Sequence, residues 1–235
     1  MSPSKRTILL LAAYFFASPL FFSSAILADE NDASPNNTQV DALYDGKTTA
    51  ITLRKESKKL ANQSDIDKMV DQWGFFERER NPQGDPQNAY VKINDEVVMD
   101  KRTGLMWQRS GSDRAKSFTG AKDYIEQLND EKFSGYSDWR LPTIEELSSL
   151  LVKTPIDELD ISPIFDHSQK RCWSNDTTDT VINFRSVKNY AIWIVDFSQG
   201  QIKKAIWYFG SNASDLNSRY SQNKRNYVKA VRSFQ

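Results

Sequence analysis

Hydrophobic side chains recur along this chain first at helical and later at strand spacing. Ile66, Met69, Val70 and Trp73 stand at i, i+3, i+4 and i+7, which is one apolar helical face. Ser64, with Asp67 three residues on, is the expected cap of that helix, and Gly74 its end. Ala121, Tyr124, Ile125 and Leu128 predict a second amphipathic helix. A third follows Leu141-Pro142. There Thr143 and Glu146 have the spacing of a capping box, and Ile144, Leu147, Leu150 and Leu151 supply the buried stripe. Between the first two helices, Tyr90–Met99 alternates loosely and predicts one strand. The turn Asp100–Gly104 returns the chain as Leu105-Met106-Trp107.

Beyond residue 180 the rhythm becomes that of strands: Val181–Val187, Tyr190–Ser198, Gln201–Phe209 and Tyr227–Val231. The middle pair reads as a hairpin turning at Gln199-Gly200. A two-residue turn sets Asp196 opposite Lys203, Val195 opposite Lys204 and Trp193 opposite Ile206. Phe197, Val195, Trp193, Ile206 and Tyr208 then share one face, and Ile194, Ile192, Ala205 and Trp207 the other. Both faces are apolar, so the hairpin belongs at the centre of the domain or under a partner. Helices first and strands later, without βαβ alternation, predict an α+β fold with two or three amphipathic helices and a mainly antiparallel sheet.

Residues 1–28 read as a signal peptide. Lys5 and Arg6 precede an uncharged run from Thr7 to Ala28, and Ala25 and Ala28 offer small residues for cleavage. The alternative is an uncleaved membrane anchor, weakened by Pro19 and the serines at 18, 23 and 24. Residues 29–52 form a polar linker and 53–235 a single domain, with a helical extension over 53–88 and a core over 89–235. An exported protein, periplasmic, secreted or displayed at the cell surface, is expected. No second segment is long enough to span a membrane, so no membrane contact is expected after cleavage.

Composition narrows the chemistry. Cleavage at residue 28 leaves 29 basic against 31 acidic side chains, which gives no global attraction to nucleic acid. The one cysteine, Cys172, cannot close an internal disulfide and reads as a small buried hydrophobe. A triad would have to use the one histidine, His167, and no GxSxG stands in the chain. Neither an enzyme nor a resident cofactor is expected. Two segments have oxygen ligands for a hard cation, Asp157, Glu158, Asp160 and Asp166 in one and Trp173–Asp176 in the other. Neither has a recognised spacing: the first reads as a solvated acidic loop, and the second departs from the Trp-Asn-Asp of calcium-dependent lectins by an inserted serine.

Charge is unevenly spread. Residues 121–168 hold 11 acidic and 4 basic side chains, whereas residues 170–235 hold 11 basic and 4 acidic. The two stretches either neutralise each other on folding or present separate faces. In the second case Lys203, Lys204, Arg219, Lys224 and Arg225, beside Trp207, make an anion-binding surface suited to a sulfated or carboxylated polysaccharide or a carboxylate-rich surface protein.

Several runs carry a family resemblance: DKRTGLMWQRSGSD (Asp100–Asp113), GYSDWRLPTIEEL (Gly135–Leu147), Trp173-Ser174, AIWIVDFSQG (Ala191–Gly200) and YVKAVR (Tyr227–Arg232). Together they resemble the Lcl C-terminal domain family, the end domain of bacterial collagen-like adhesins. The upstream run from Met69 to Gly84 is similar to a segment preceding this domain in some members. The resemblance implies a mixed fold related to C-type-lectin-like and formylglycine-generating-enzyme domains. It also implies export, mostly no known activity, and, on adhesins, binding of sulfated glycans. No Gly-X-Y stalk stands in the chain, so stalk-driven trimerisation is not expected. Within GYSDWRLPT, Trp139 is expected to fill the core and Arg140 to satisfy buried carbonyls or a carboxylate. The leading expectation is an exported binding module. The alternatives are an assembly component self-associating through the 190–209 hairpin and an enzyme-like relic of the formylglycine-generating fold.

Overall fold

The computed structural model describes residues 50–154, 158–178, 189–208 and 225–234. The signal and linker assignments at 1–49, the strand expected over Val181–Val187 and the carboxylate of Asp157 lie outside them. Helix α1 is Gln63–Trp73. Asn62 caps it, two residues before the expected Ser64: its side chain accepts from the Asp65 amide, and Asp65 reaches back to the Asn62 amide. Carboxamide and hydroxyl caps compete closely, so adjacent candidates are hard to rank from sequence. Gly74 closes the helix with φ 64°, a left-handed position that suits glycine.

The segment expected as one strand is a hairpin. Strand β1 (Tyr90–Lys92) pairs antiparallel with β2 (Val97–Asp100), and the turn between them is stitched by Asn94, whose side chain accepts from the Glu96 and Val97 amides. Strand β3 (Leu105–Gln108) follows the expected turn, and β7 (Val231–Ser233) completes a sheet ordered β1-β2-β3-β7. Tyr227 makes only an isolated bridge, so the final strand starts four residues later than expected. Helix α2 spans Phe118–Asp130 under a Ser117 cap. Helix α3 is Ile144–Ser148 with the expected Thr143–Glu146 capping box. It ends before Leu150, where Ser148 and Ser149 turn their hydroxyls onto the Ile144 and Glu146 carbonyls.

A second sheet orders β4 (Arg171–Thr178), β5 (Asn189–Asp196) and β6 (Gln201–Tyr208), with β5 central. The β5–β6 turn has four residues, not two, so Asp196 pairs with Gln201, Val195 with Ile202 and Trp193 with Lys204. That corrects the expected register by two positions. An even slip keeps the described side chains on their predicted faces. Asp196 still binds Lys203, now as a diagonal neighbour at 3.2 Å.

Both sheets are partitions between two apolar layers. Trp193, Val195, Phe197 and Ile202 pack into one layer with α1, α3, Phe75 and Phe76; Ile192, Ile194 and Ala205 pack into the other with α2, Trp139 and Trp173. The described apolar residues of the hairpin are therefore covered by the domain itself. The architecture is α+β, with three helices and two antiparallel sheets among the described residues.

Candidate functional site

The basic run Arg114–Lys116 enters α2 through a short antiparallel seam with the chain near residue 226. The Ser112 amide donates to the Val228 carbonyl at 2.8 Å, and the Val228 amide returns to the Ser112 hydroxyl at 3.0 Å. Lys116 and Asn226 exchange both backbone hydrogen bonds, at 2.8 and 3.1 Å. Gly111 makes the approach possible: it holds φ 76°, and a Cβ there would meet the Val228 oxygen at 2.5 Å. Behind the seam the Trp173 indole donates to the Lys116 carbonyl at 2.8 Å.

The seam and α2 enclose an open cleft of about 490 Å³ lined by residues 113–116, Tyr124, Gln127 and Arg225. Arg114, Lys116 and Arg225 bring three positive charges, against one from Asp113. The Lys116 ammonium lies 5.0 Å from the centre of the Tyr124 ring. Tyr124 is fixed by Gln108, whose amide donates to its hydroxyl at 2.6 Å, and burial raises its phenol's pKa. Asp113 and Arg114 pair at 3.2 Å, both largely exposed, and that pairing holds the Asp113 carboxyl below its ordinary value. Such exposed pairs are worth little and exchange readily for another partner. Guanidinium forks, an ammonium and an aromatic face suit a carboxylate or sulfate on a ring-shaped ligand.

Of the residues singled out from sequence, Arg225 is brought into this cleft. Lys203 and Lys204 alternate to opposite faces of β6. Lys203 binds Asp196, and the Lys204 ammonium lies 4.8 Å from the centre of the Trp193 ring. Trp207 is described only through its backbone in β6, and Arg219 and Lys224 lie outside the described residues. Sequence reasoning missed Arg114, Lys116 and Tyr124, although the basic run directly after Asp113 was a visible signal.

The remaining polar candidates are occupied structurally. Asp160, expected in a solvated acidic loop, is instead fully buried against Arg78 and Thr154, while Asp166 accepts from the Ser168 amide and hydroxyl beside an exposed His167. Asp176, aimed inward by an irregularity between Trp173 and Thr177, binds Arg54 at 2.9 and 2.8 Å and accepts from the Ile144 amide at 2.7 Å. Arg140 grips Glu146 at 2.7 and 2.6 Å and Trp139 is buried, as the motif predicted. The Cys172 thiol is fully buried, and burial pushes its pKa up to about 12. Among the described residues no group of His, Cys, Asp and Glu side chains is arranged to hold a metal ion.

No curated protein and no solved structure matched the chain. The family model of the Lcl C-terminal domain matches residues 96–232, from the turn before β2 into β7. That match covers more than half of the sequence and includes the 113–116 loop, α2 and Arg225, so the chain belongs to the Lcl C-terminal domain family.

Proposed function

We propose that this protein is an exported, non-catalytic binding module that holds a sulfated or carboxylated polysaccharide in the cleft beside α2. The observation carrying this reading is that Arg114, Lys116 and Arg225 line one cleft with Tyr124, whose ring the Lys116 ammonium faces. Family membership supports a surface role, because end domains of this kind sit on adhesins. The buried thiol of Cys172 supports a binding rather than a thiol-based catalytic role, since its raised pKa keeps it protonated and unreactive at neutral pH. Self-association through the hairpin is the weaker reading, because the described apolar residues of that hairpin are already covered.

Affinity chromatography on immobilised heparin tests the proposal. Wild-type protein should elute at higher salt than a control of equal net charge, and a triple Arg114→Ala, Lys116→Ala, Arg225→Ala variant should elute with the control. Co-elution of wild type and control would refute it.

A further inference from the structure

The cleft beside α2 is cationic, yet two of the side chains lining it are acceptors. Asp113 stands in it 69% exposed, and among the described residues its one ion pair is with Arg114, itself 87% exposed, at 3.2 Å. That pairing holds the carboxyl below its ordinary value, so it is ionised at neutral pH. An exposed pair of this kind is held by little, so the guanidinium can turn to an incoming anion while the carboxylate stays beside the ligand. Gln127 follows Tyr124 at i+3 on the same face of α2 and lines the cleft with it. Its amide nitrogen donates to Glu131 at 2.8 Å, which leaves the carbonyl oxygen as its unspent end. An ionised carboxylate can only accept hydrogen bonds. It repels the oxygens of sulfates and carboxylates and accepts from hydroxyls. A cleft built for charge alone would gain by losing Asp113.

Resting on the polysaccharide reading above, we propose that Asp113, with Gln127 as a second acceptor, makes the cleft selective for an anionic sugar that keeps free hydroxyls over one sulfated at every hydroxyl. Arg114, Lys116 and Arg225 take the anionic group, while Asp113 and Gln127 accept from hydroxyls beside it. Asp113 thus acts in two directions. It adds a charge-assisted hydrogen bond to a sugar with free hydroxyls, and a repulsion to one whose hydroxyls carry sulfate.

Polygalacturonate oligomers provide the probe, in natural form with free ring hydroxyls and after exhaustive O-sulfation, which blocks the hydroxyls and keeps the carboxylates. Calorimetry at one salt concentration compares wild type with Asp113→Ala. The variant should bind the natural oligomer about fivefold more weakly, having lost a hydrogen bond to a charged group. It should bind the sulfated oligomer about fourfold more tightly, having lost a like charge. Tighter binding of both oligomers, or no change in either, would overturn the Asp113 assignment and leave the cationic cleft standing. Wild-type binding to the sulfated oligomer alone would do the same, and binding to neither would overturn both readings. Gln127→Met should weaken binding of the natural oligomer alone; unchanged binding would remove Gln127 from the assignment. The wild-type comparison of the two oligomers needs no variant, so it decides even if Asp113→Ala fails to fold.

Discussion

Lys229 carries its ammonium into the interior, and no carboxylate of the described residues is hydrogen-bonded to it. The Nζ donates to the Arg109 carbonyl at 2.8 Å and the Gln108 carbonyl at 3.4 Å, and lies 5.0 Å from the centre of the Phe165 ring. Burial lowers its pKa from 10.5 to about 8; Cys172 and Asp166 oppose that shift and Arg109 adds to it. Because the unfolded chain binds this proton more tightly, stability rises with pH from about 8 towards 10.5. The full shift corresponds to the order of 3 kcal/mol. Cys172 acts the other way: its raised pKa means stability is lost as pH climbs from 9 to about 12. The Lys229 effect therefore stands alone between roughly pH 8 and 9. Urea unfolding should show wild-type stability increasing across that interval and a Lys229→Met variant flat; a flat wild-type profile would contradict the buried ammonium. The thiol gives a second residue-scale expectation. Iodoacetamide at pH 8 should leave Cys172 unmodified in the native protein and alkylate it after denaturation.

At the scale of elements, the chain before residue 62 is a strap across β4. The Leu60 amide donates to the Thr177 carbonyl at 2.9 Å, the Trp193 indole donates to the Leu60 carbonyl at 3.2 Å, and Arg54 forks onto Asp176. Asp176→Ala removes the bidentate acceptor of a partly buried guanidinium and the acceptor of the first amide of α3. It should cost about 3–5 kcal/mol in chemical denaturation, whereas Asp113→Ala on the exposed rim should cost under about 0.5 kcal/mol. Most elements were legible in sequence where one local rule decided them: the α1 stripe, the Thr143–Glu146 box and the Asp100–Gly104 turn. Strand β4 was not, because RCWSNDTT lacks a two-residue rhythm and its Asp176 is held by partners more than 30 residues away. The hairpin register was missed for a related reason. Gly200 marks a turn, but whether two or four residues bridge the strands depends on the tip. There Asp160 and Arg78 crowd Gly200, and the Arg78 amide donates to its carbonyl at 2.9 Å.

Over the whole molecule, the family-matched portion is not the whole folding unit. Ile66, Met69, Val70, Phe75 and Phe76 precede the match and fill one of the two apolar layers. Each such side chain stabilises by about 1.5–3 kcal/mol, so together they rival the total net stability of a domain. A fragment beginning at residue 96 should therefore lack a cooperative unfolding transition, while one beginning at residue 50 keeps it. The charge segregation visible in sequence resolves in part by pairing across the fold. Arg232 of the basic stretch binds Asp138 of the acidic stretch at 2.6 Å. Arg225 instead joins Arg114 and Lys116, a grouping that no linear charge count reveals because Arg225 stands far along the chain from the 114–116 run. Hydrogen–deuterium exchange with and without a sulfated oligosaccharide tests this grouping most directly. New protection should concentrate at residues 113–127 and 225–228; protection confined to β5 and β6, or none anywhere, would contradict the grouping.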